Sequence, residues 1–143
     1  MTPHHTIGTW IAGLVVSLII GSVVCRLAWT AFHSFTLTTA AKMNWPYDKD
    51  DAERIPVYGV LIGILERLFF TLLIAFGGAG IAPALVLWMI VKMTAGWNRI
   101  NKSGVFYRML AFTGLIVSMT SMLFAALGGL IANGSIPLFR LWE

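Results

Sequence analysis

The chain has 143 residues, of which 58 % are hydrophobic and 11 % charged, with a net charge of +4 and a mean hydropathy of +0.83. A soluble domain carries roughly 45–50 % apolar and about 25 % charged residues, and a single core of this size cannot hide the surplus apolar surface from water. The composition therefore predicts an all-α integral membrane protein, and it excludes an ordinary soluble domain.

The basic balance does not point to nucleic acid. Lys and Arg are scattered through short segments beside apolar runs, with no basic face interleaved with aromatics, a pattern that reports orientation in a bilayer. The single cysteine, Cys25, excludes an intrachain disulfide; in its apolar run it reads as a small packing residue. No CxxC pattern, P-loop, or Ser/His/Asp set is present. His4 and His5 lie at the N-terminus and His33 has no acidic or His neighbour in sequence. No cofactor, metal or catalytic set is expected.

Thr6 to Cys25 carry no charge. At about 1.5 Å per residue this run matches a hydrocarbon layer of about 30 Å, which predicts a first span over residues 6–27. No Lys or Arg precedes it, so the basic segment of a cleavable signal is missing and the run is expected to remain as a helix. Leu27 to Ala41 is uncharged but more polar, with Trp29, His33 and several Thr. It either prolongs the helix into the interface or lies along it.

A hydrophilic loop over 42–55 follows, with Lys49 and Arg54 beside Asp48, Asp50, Asp51 and Glu53. Pro56 suits a helix start, where its missing N–H costs nothing. A second span over 56–77 is apolar apart from Glu66 and Arg67. Gly77-Gly78-Ala79-Gly80 reads as a tight turn. A third span over 81–98 contains Lys92, a short basic loop holds Arg99, Lys102 and Arg108, and a last span over 108–132 ends at Asn133-Gly134.

The span count has two readings. Leu68 to Val91 is itself charge-free, so three spans plus an interfacial helix are an alternative to a four-transmembrane-helix bundle. With four spans, Arg26, Lys42, Lys49, Arg54, Arg99, Lys102 and Arg108 share one side and Arg140 lies opposite. The excess of basic residues on cytoplasmic loops favours four, with both termini outside the cytoplasm. Trp45, Tyr47, Tyr58, Trp97 and Tyr107 cluster near the basic segments, and Trp10 and Trp142 mark the other face, as interfacial anchors do.

Small residues recur every four positions: Gly13, Ser17, Gly21 and Cys25 in the first span, Gly59 and Gly63 in the second, Ser121, Ala125 and Gly129 in the last. Such spacing lets backbones approach closely in lipid. It fits packing inside the bundle or an interface between copies, so the expected partners are the bilayer and either a second copy or another membrane protein.

Glu66, Arg67 and Lys92 are the charges at depth. Glu66 lies about 15 Å past Pro56 by helix rise, near mid-membrane. Helix neighbours point about 100° apart, so Glu66 and Arg67 face different directions. Antiparallel helices joined by a short turn bring Glu66 and Lys92 to similar depths, which predicts an interhelical pair. Arg67 is left for another neighbour, a headgroup or a second subunit. Unpaired, each charge costs roughly 2.5–3.5 kcal/mol on insertion scales. The pair fixes helix register, or Glu66 titrates in an ion or proton path.

The segment Gly59-Val60-Leu61-Ile62-Gly63-Ile64-Leu65-Glu66-Arg67 resembles a G-x-x-I-G-x-L-E-R motif of small uncharacterised bacterial multi-pass membrane proteins. There it precedes an apolar hairpin, a Lys and then an Arg, here matched to Lys92 and Arg99. The resemblance covers Tyr58 to Ser118. It implies a membrane hairpin in a bacterial inner membrane and no assigned activity. The function expected from the sequence is a non-enzymatic accessory or self-associating subunit, with a small ion- or proton-coupled transporter or channel as the alternative.

Overall fold

The computed structural model describes residues 7–46, 57–77, 81–100 and 104–136. The tip of the Gly77–Gly80 turn, most of the 42–55 loop, Tyr47, Lys102 and the tail with Arg140 and Trp142 lie outside these residues, as do the side chains of Tyr58, Trp97 and Arg99.

The described chain is all-helical and has four helices. The first, α1, runs without a break from Ile7 to Lys42. It is α-helical over Ile7–Leu14, π-helical over Val15–Ile20 and α-helical again over Gly21–Lys42. Then follow α2 (Val57–Ala75), α3 (Ile81–Ile100) and α4 (Gly104–Ala132). Of these, α1 and α4 are long and apolar enough to cross a membrane, and α3 contains a shorter apolar stretch, Pro83–Thr94.

Of the two readings of the polar stretch Leu27 to Ala41, the structure takes the first: the helix that begins at Ile7 is prolonged through it to Lys42. No Gly or Pro interrupts Ser22–Lys42, and its hydroxyls bond back into their own helix: Thr30 to the Arg26 carbonyl, Thr36 to that of Phe32 and Thr38 to that of Ser34, each at 2.9 Å. Such back-bonding satisfies the hydroxyl without leaving the helix. The basic segment after Trp97 is likewise mostly helical, because α3 persists to Ile100 and α4 begins at Gly104.

The helix ends carry their own stop signals. Asn44 has φ of 51°, and beyond it Trp45 N–H bonds the Ala40 carbonyl at 3.0 Å, the six-to-one bond of a Schellman cap. Trp45 then packs on the small cluster of Ala40 and Phe106, so this tryptophan is tied to the protein as well as placed beside the loop. The same device closes α4, where Gly134 has φ of 71° and Ser135 N–H bonds the Leu130 carbonyl at 3.0 Å.

The hub is α4, which packs against every other helix. It lies antiparallel to α1, with Gly128 and Ala132 against Gly13 at one end and Phe106 beside Ala40 at the other. It lies parallel to α2, with Thr71 beside Ala125 and Ile74 against Gly129. Gly13, Ser17, Gly21 and Cys25 are all buried along α1, and Ser121, Ala125 and Gly129 along α4. The α2 pair is placed differently: Gly59 is exposed and Gly63 half-buried. A Cβ on Gly63 would meet only Arg67 within 4 Å, so Gly63 makes no close helix–helix contact among the described residues.

Close approach dictates the glycine at position 128. A Cβ there would lie 2.5 Å from the Gly13 carbonyl oxygen and 2.7 Å from the Ser17 Cβ. Gly128→Ala is therefore expected to push α1 from α4 and to cost about 1–3 kcal/mol. Gly114→Ala, where nothing lies within 4 Å, is expected to be neutral or to stabilise by up to about 1 kcal/mol. Reversible unfolding in mixed detergent micelles measures both; equal effects at the two sites would refute the close-packing account.

Candidate functional site

Glu66 and Arg67 sit side by side on α2 and point to different helices. Both are buried, at 6 % and 4 % exposure. Glu66 Oε2 accepts from Lys92 Nζ of α3 at 2.5 Å, and the same ammonium donates to Ser118 Oγ of α4 at 2.9 Å. Lys92 keeps a quarter of its side chain exposed, while the Glu66 carboxylate is enclosed. Sequence spacing placed these two groups at similar depth, and the antiparallel α2–α3 arrangement brings them into contact. One turn away Phe70 and Trp88 meet edge to face, with ring centroids 6.4 Å apart.

Arg67 turns the other way, into its own bundle. Its Nη1 donates to Ser121 Oγ of α4 at 3.1 Å and its Nη2 to Ser22 Oγ of α1 at 2.7 Å. It is therefore held within the chain, by α4 and α1. Ser22 in turn donates to the Leu18 carbonyl, which fixes its lone pairs toward the guanidinium. Gly21 makes room for the arginine stem: a Cβ there would lie 3.2 Å from Arg67 Cδ and 2.9 Å from Phe124 Cβ.

A third contact continues the layer one turn further along α2. Ser17 Oγ and Thr71 Oγ1 are 2.6 Å apart. Thr71 donates its proton to the Ala125 carbonyl at 3.3 Å, so Ser17 is the donor in the pair. All four helices thus contribute to one polar layer: Ser17 and Ser22 from α1, Glu66, Arg67 and Thr71 from α2, Lys92 from α3, Ser118 and Ser121 from α4.

Sequence reasoning missed Ser22, Thr71 and Ser118. The available signal was hydroxyl spacing. Ser118 and Ser121 are three apart on one helix face and Thr71 lies four after Arg67, positions that share a face. Ser17 and Ser121 were read for their size alone, whereas their hydroxyls are what bond to α2.

The layer is incompletely satisfied. Glu66 Oε1, Arg67 Nε and Trp88 Nε1 are buried without a hydrogen-bond partner. Glu66 is the only carboxylate side chain among the described residues, and its ion pair is with Lys92; Arg67 is held by hydroxyls. Among the described residues, no three His, Cys, Asp or Glu are grouped to hold a metal ion. Comparison with models of known protein families, with curated proteins and with solved structures finds no match.

Removing one partner of a buried pair strands the other, at about 3–5 kcal/mol. Lys92→Met is expected to destabilise the protein by that order, and adding Glu66→Met should recover most of the loss. A double-mutant cycle on unfolding free energies reads the coupling. Additive effects would mean that the two groups do not stabilise each other.

Proposed function

We propose that the chain is a four-span membrane protein that works as an accessory or self-associating subunit rather than an enzyme, with the Glu66, Arg67 and Lys92 layer fixing the register of its helices. The observation that carries this reading is that each of these charges is bonded by side chains of other helices in the same chain. The outer surface supports it too. Large apolar side chains are exposed on every helix, among them Ile19, Leu61, Leu87 and Leu123, and apolar surface of this extent marks contact with lipid or protein. The distribution of basic residues favours termini outside the cytoplasm, and a bacterial inner membrane is what the resemblance of the Gly59 to Arg67 segment implies.

A second reading has one observation in its favour. Glu66 Oε1 is a buried acceptor without a partner, and carboxylates held at depth often serve proton or ion movement. On that reading the chain is a small ion- or proton-coupled transporter or channel and Glu66 is the coupling group.

Glu66→Gln separates the two. On the register reading, proteoliposomes show no proton or ion flux above empty liposomes, and the variant lowers stability and disturbs subunit association. Flux in the parent that disappears in the variant, with helix content and particle size unchanged, would establish transport instead. The double crossing is tested by single cysteines at positions 78 and 100 in a Cys25→Ser background. Labelling from opposite faces is expected, and labelling from one face would overturn the four-span arrangement.

A further inference from the structure

We propose that Arg26 is a docking point for a transmembrane helix of another membrane protein, one that carries an Asp or Glu within its span. The inference rests on the accessory-subunit reading and names the chemistry of the partner.

Depth is the first argument. The first charge-free run ends at Arg26, but α1 continues beyond it to Lys42. Contacts place Arg26 inside the apolar layer. At one end Trp10 of α1 meets Phe76 of α2, with ring centroids 5.5 Å apart. Further along, Ser22 meets Arg67, so α1 and α2 run antiparallel. Cys25 Sγ lies 3.8 Å from the Val117 carbonyl oxygen, one residue from the Ser118 that bonds Lys92. Val57 opens α2 and precedes Arg67 by ten residues, so it stands level with about residue 32 of α1. From Trp10 to that level is about 33 Å at the helical rise, which matches a hydrocarbon layer of about 30 Å. Arg26 is about 9 Å inside the nearer boundary.

Direction is the second. The Cα–Cβ bonds of a helix tilt toward its N-terminus, which for α1 is the Trp10 end. The Arg26 side chain therefore leaves the backbone toward the middle of the layer and away from the nearer boundary. Basic side chains that reach a headgroup do so from near helix ends, and Arg26 is far from either end of α1.

Charge is the third. Arg26 is exposed, and so are Ile19, Val23, Leu27 and Thr30 around it. Positions 19, 23, 26 and 30 share one helix face. Among the described residues the guanidinium has no ion pair and no hydrogen bond, whereas Arg67 and Lys92 are bonded within the chain. A cation in lipid that its own chain does not hold is costly. A carboxylate at matching depth offsets that cost through a bidentate, charge-assisted bond. A second copy supplies none among the described residues, because its carboxylate, Glu66, is enclosed and held by Lys92. The partner is therefore a different chain.

The probe is a synthetic Lys-flanked polyleucine span with one central Glu, beside a twin with Leu in that place. Energy transfer between the labelled full chain and each peptide is measured in phosphatidylcholine vesicles. The wild type is expected to bind the Glu peptide about tenfold or more tighter than the twin. Arg26→Leu is expected to lose that preference, and Arg26→Glu to transfer it to a peptide with a central Arg. Circular dichroism checks that the variants fold; should they not, the wild-type contrast between the two peptides still decides. Equal binding of both peptides by the wild type, or an undiminished preference in Arg26→Leu, overturns the proposal. Either leaves the accessory-subunit reading standing, since that reading is judged by flux and subunit association in Glu66→Gln. Loss of the preference when phosphatidylglycerol replaces phosphatidylcholine would also overturn it, by assigning Arg26 to a headgroup phosphate. So would energy transfer between wild-type copies that Arg26→Leu abolishes, which would assign this face to a second copy.

Discussion

A charge taken out of water must find a partner, and in this chain that requirement aligns the helices. Glu66 can meet Lys92 only if α2 and α3 run antiparallel at one register. Lys92 also bonds Ser118, which fixes α3 against α4. Arg67, one residue on, reaches Ser121 and Ser22 and so ties α2 to α4 and α1. Van der Waals packing of apolar helices has many nearly equivalent solutions. Directed bonds from two adjacent residues to three other helices leave few, and a buried polar group left without its partner penalises the rest.

The π-helical stretch of α1 serves the same end. A four-residue step in an α-helix overshoots a full turn by about 40°. Three such steps, from Gly13 to Cys25, would carry the stripe about 120° around the helix. A π-helix bonds i to i+5 and turns less per residue. With Val15–Ile20 in that form, the overshoot is largely cancelled and all four small residues stay buried. The same stretch lets Ser17 and Ser22, five apart, both bond α2 at Thr71 and Arg67, four apart on that helix. An unbroken α-helix would set those two serines about 140° apart, on different faces.

Much of this was legible in the sequence because it follows from depth and period. The distribution of basic residues and the Gly77–Gly80 turn favoured four helices over three, equal depth put Glu66 near Lys92, and four-residue spacing marked Gly13, Ser17, Gly21, Ser121, Ala125 and Gly129 as close-packing positions. What was not legible depends on pairing in three dimensions. Hydroxyl partners for Arg67 cannot be chosen from spacing within one helix, since every Ser and Thr in an apolar run can equally bond its own backbone. The length of α1 was ambiguous because its second half is polar enough for an interface yet lacks a breaker. The π segment has no composition signal of its own. The Gly59 and Gly63 pair had the right period for a groove, but period cannot say whether a helix of the same chain lies over it.

Among the described residues, packing on the two sides of the polar layer is unequal. Toward the ends of α2 and α4 the helices are in close backbone contact, with Gly13 against Gly128 and Ile74 against Gly129. Toward the other side α2 makes no such contact among the described residues. Gly59, Val60, Leu61, Ile62, Ile64 and Leu65 are exposed over successive turns, while α1 and α4 remain joined through Ala40 and Phe106. Segments with few buried contacts open at lower free energy than those with many. Glu66 and Arg67 stand at that boundary, and their bonds to α3, α4 and α1 close the tightly packed half. Directed bonds at this position specify which helix each side of α2 meets, a choice that apolar contacts of the same area, being undirected, could not make.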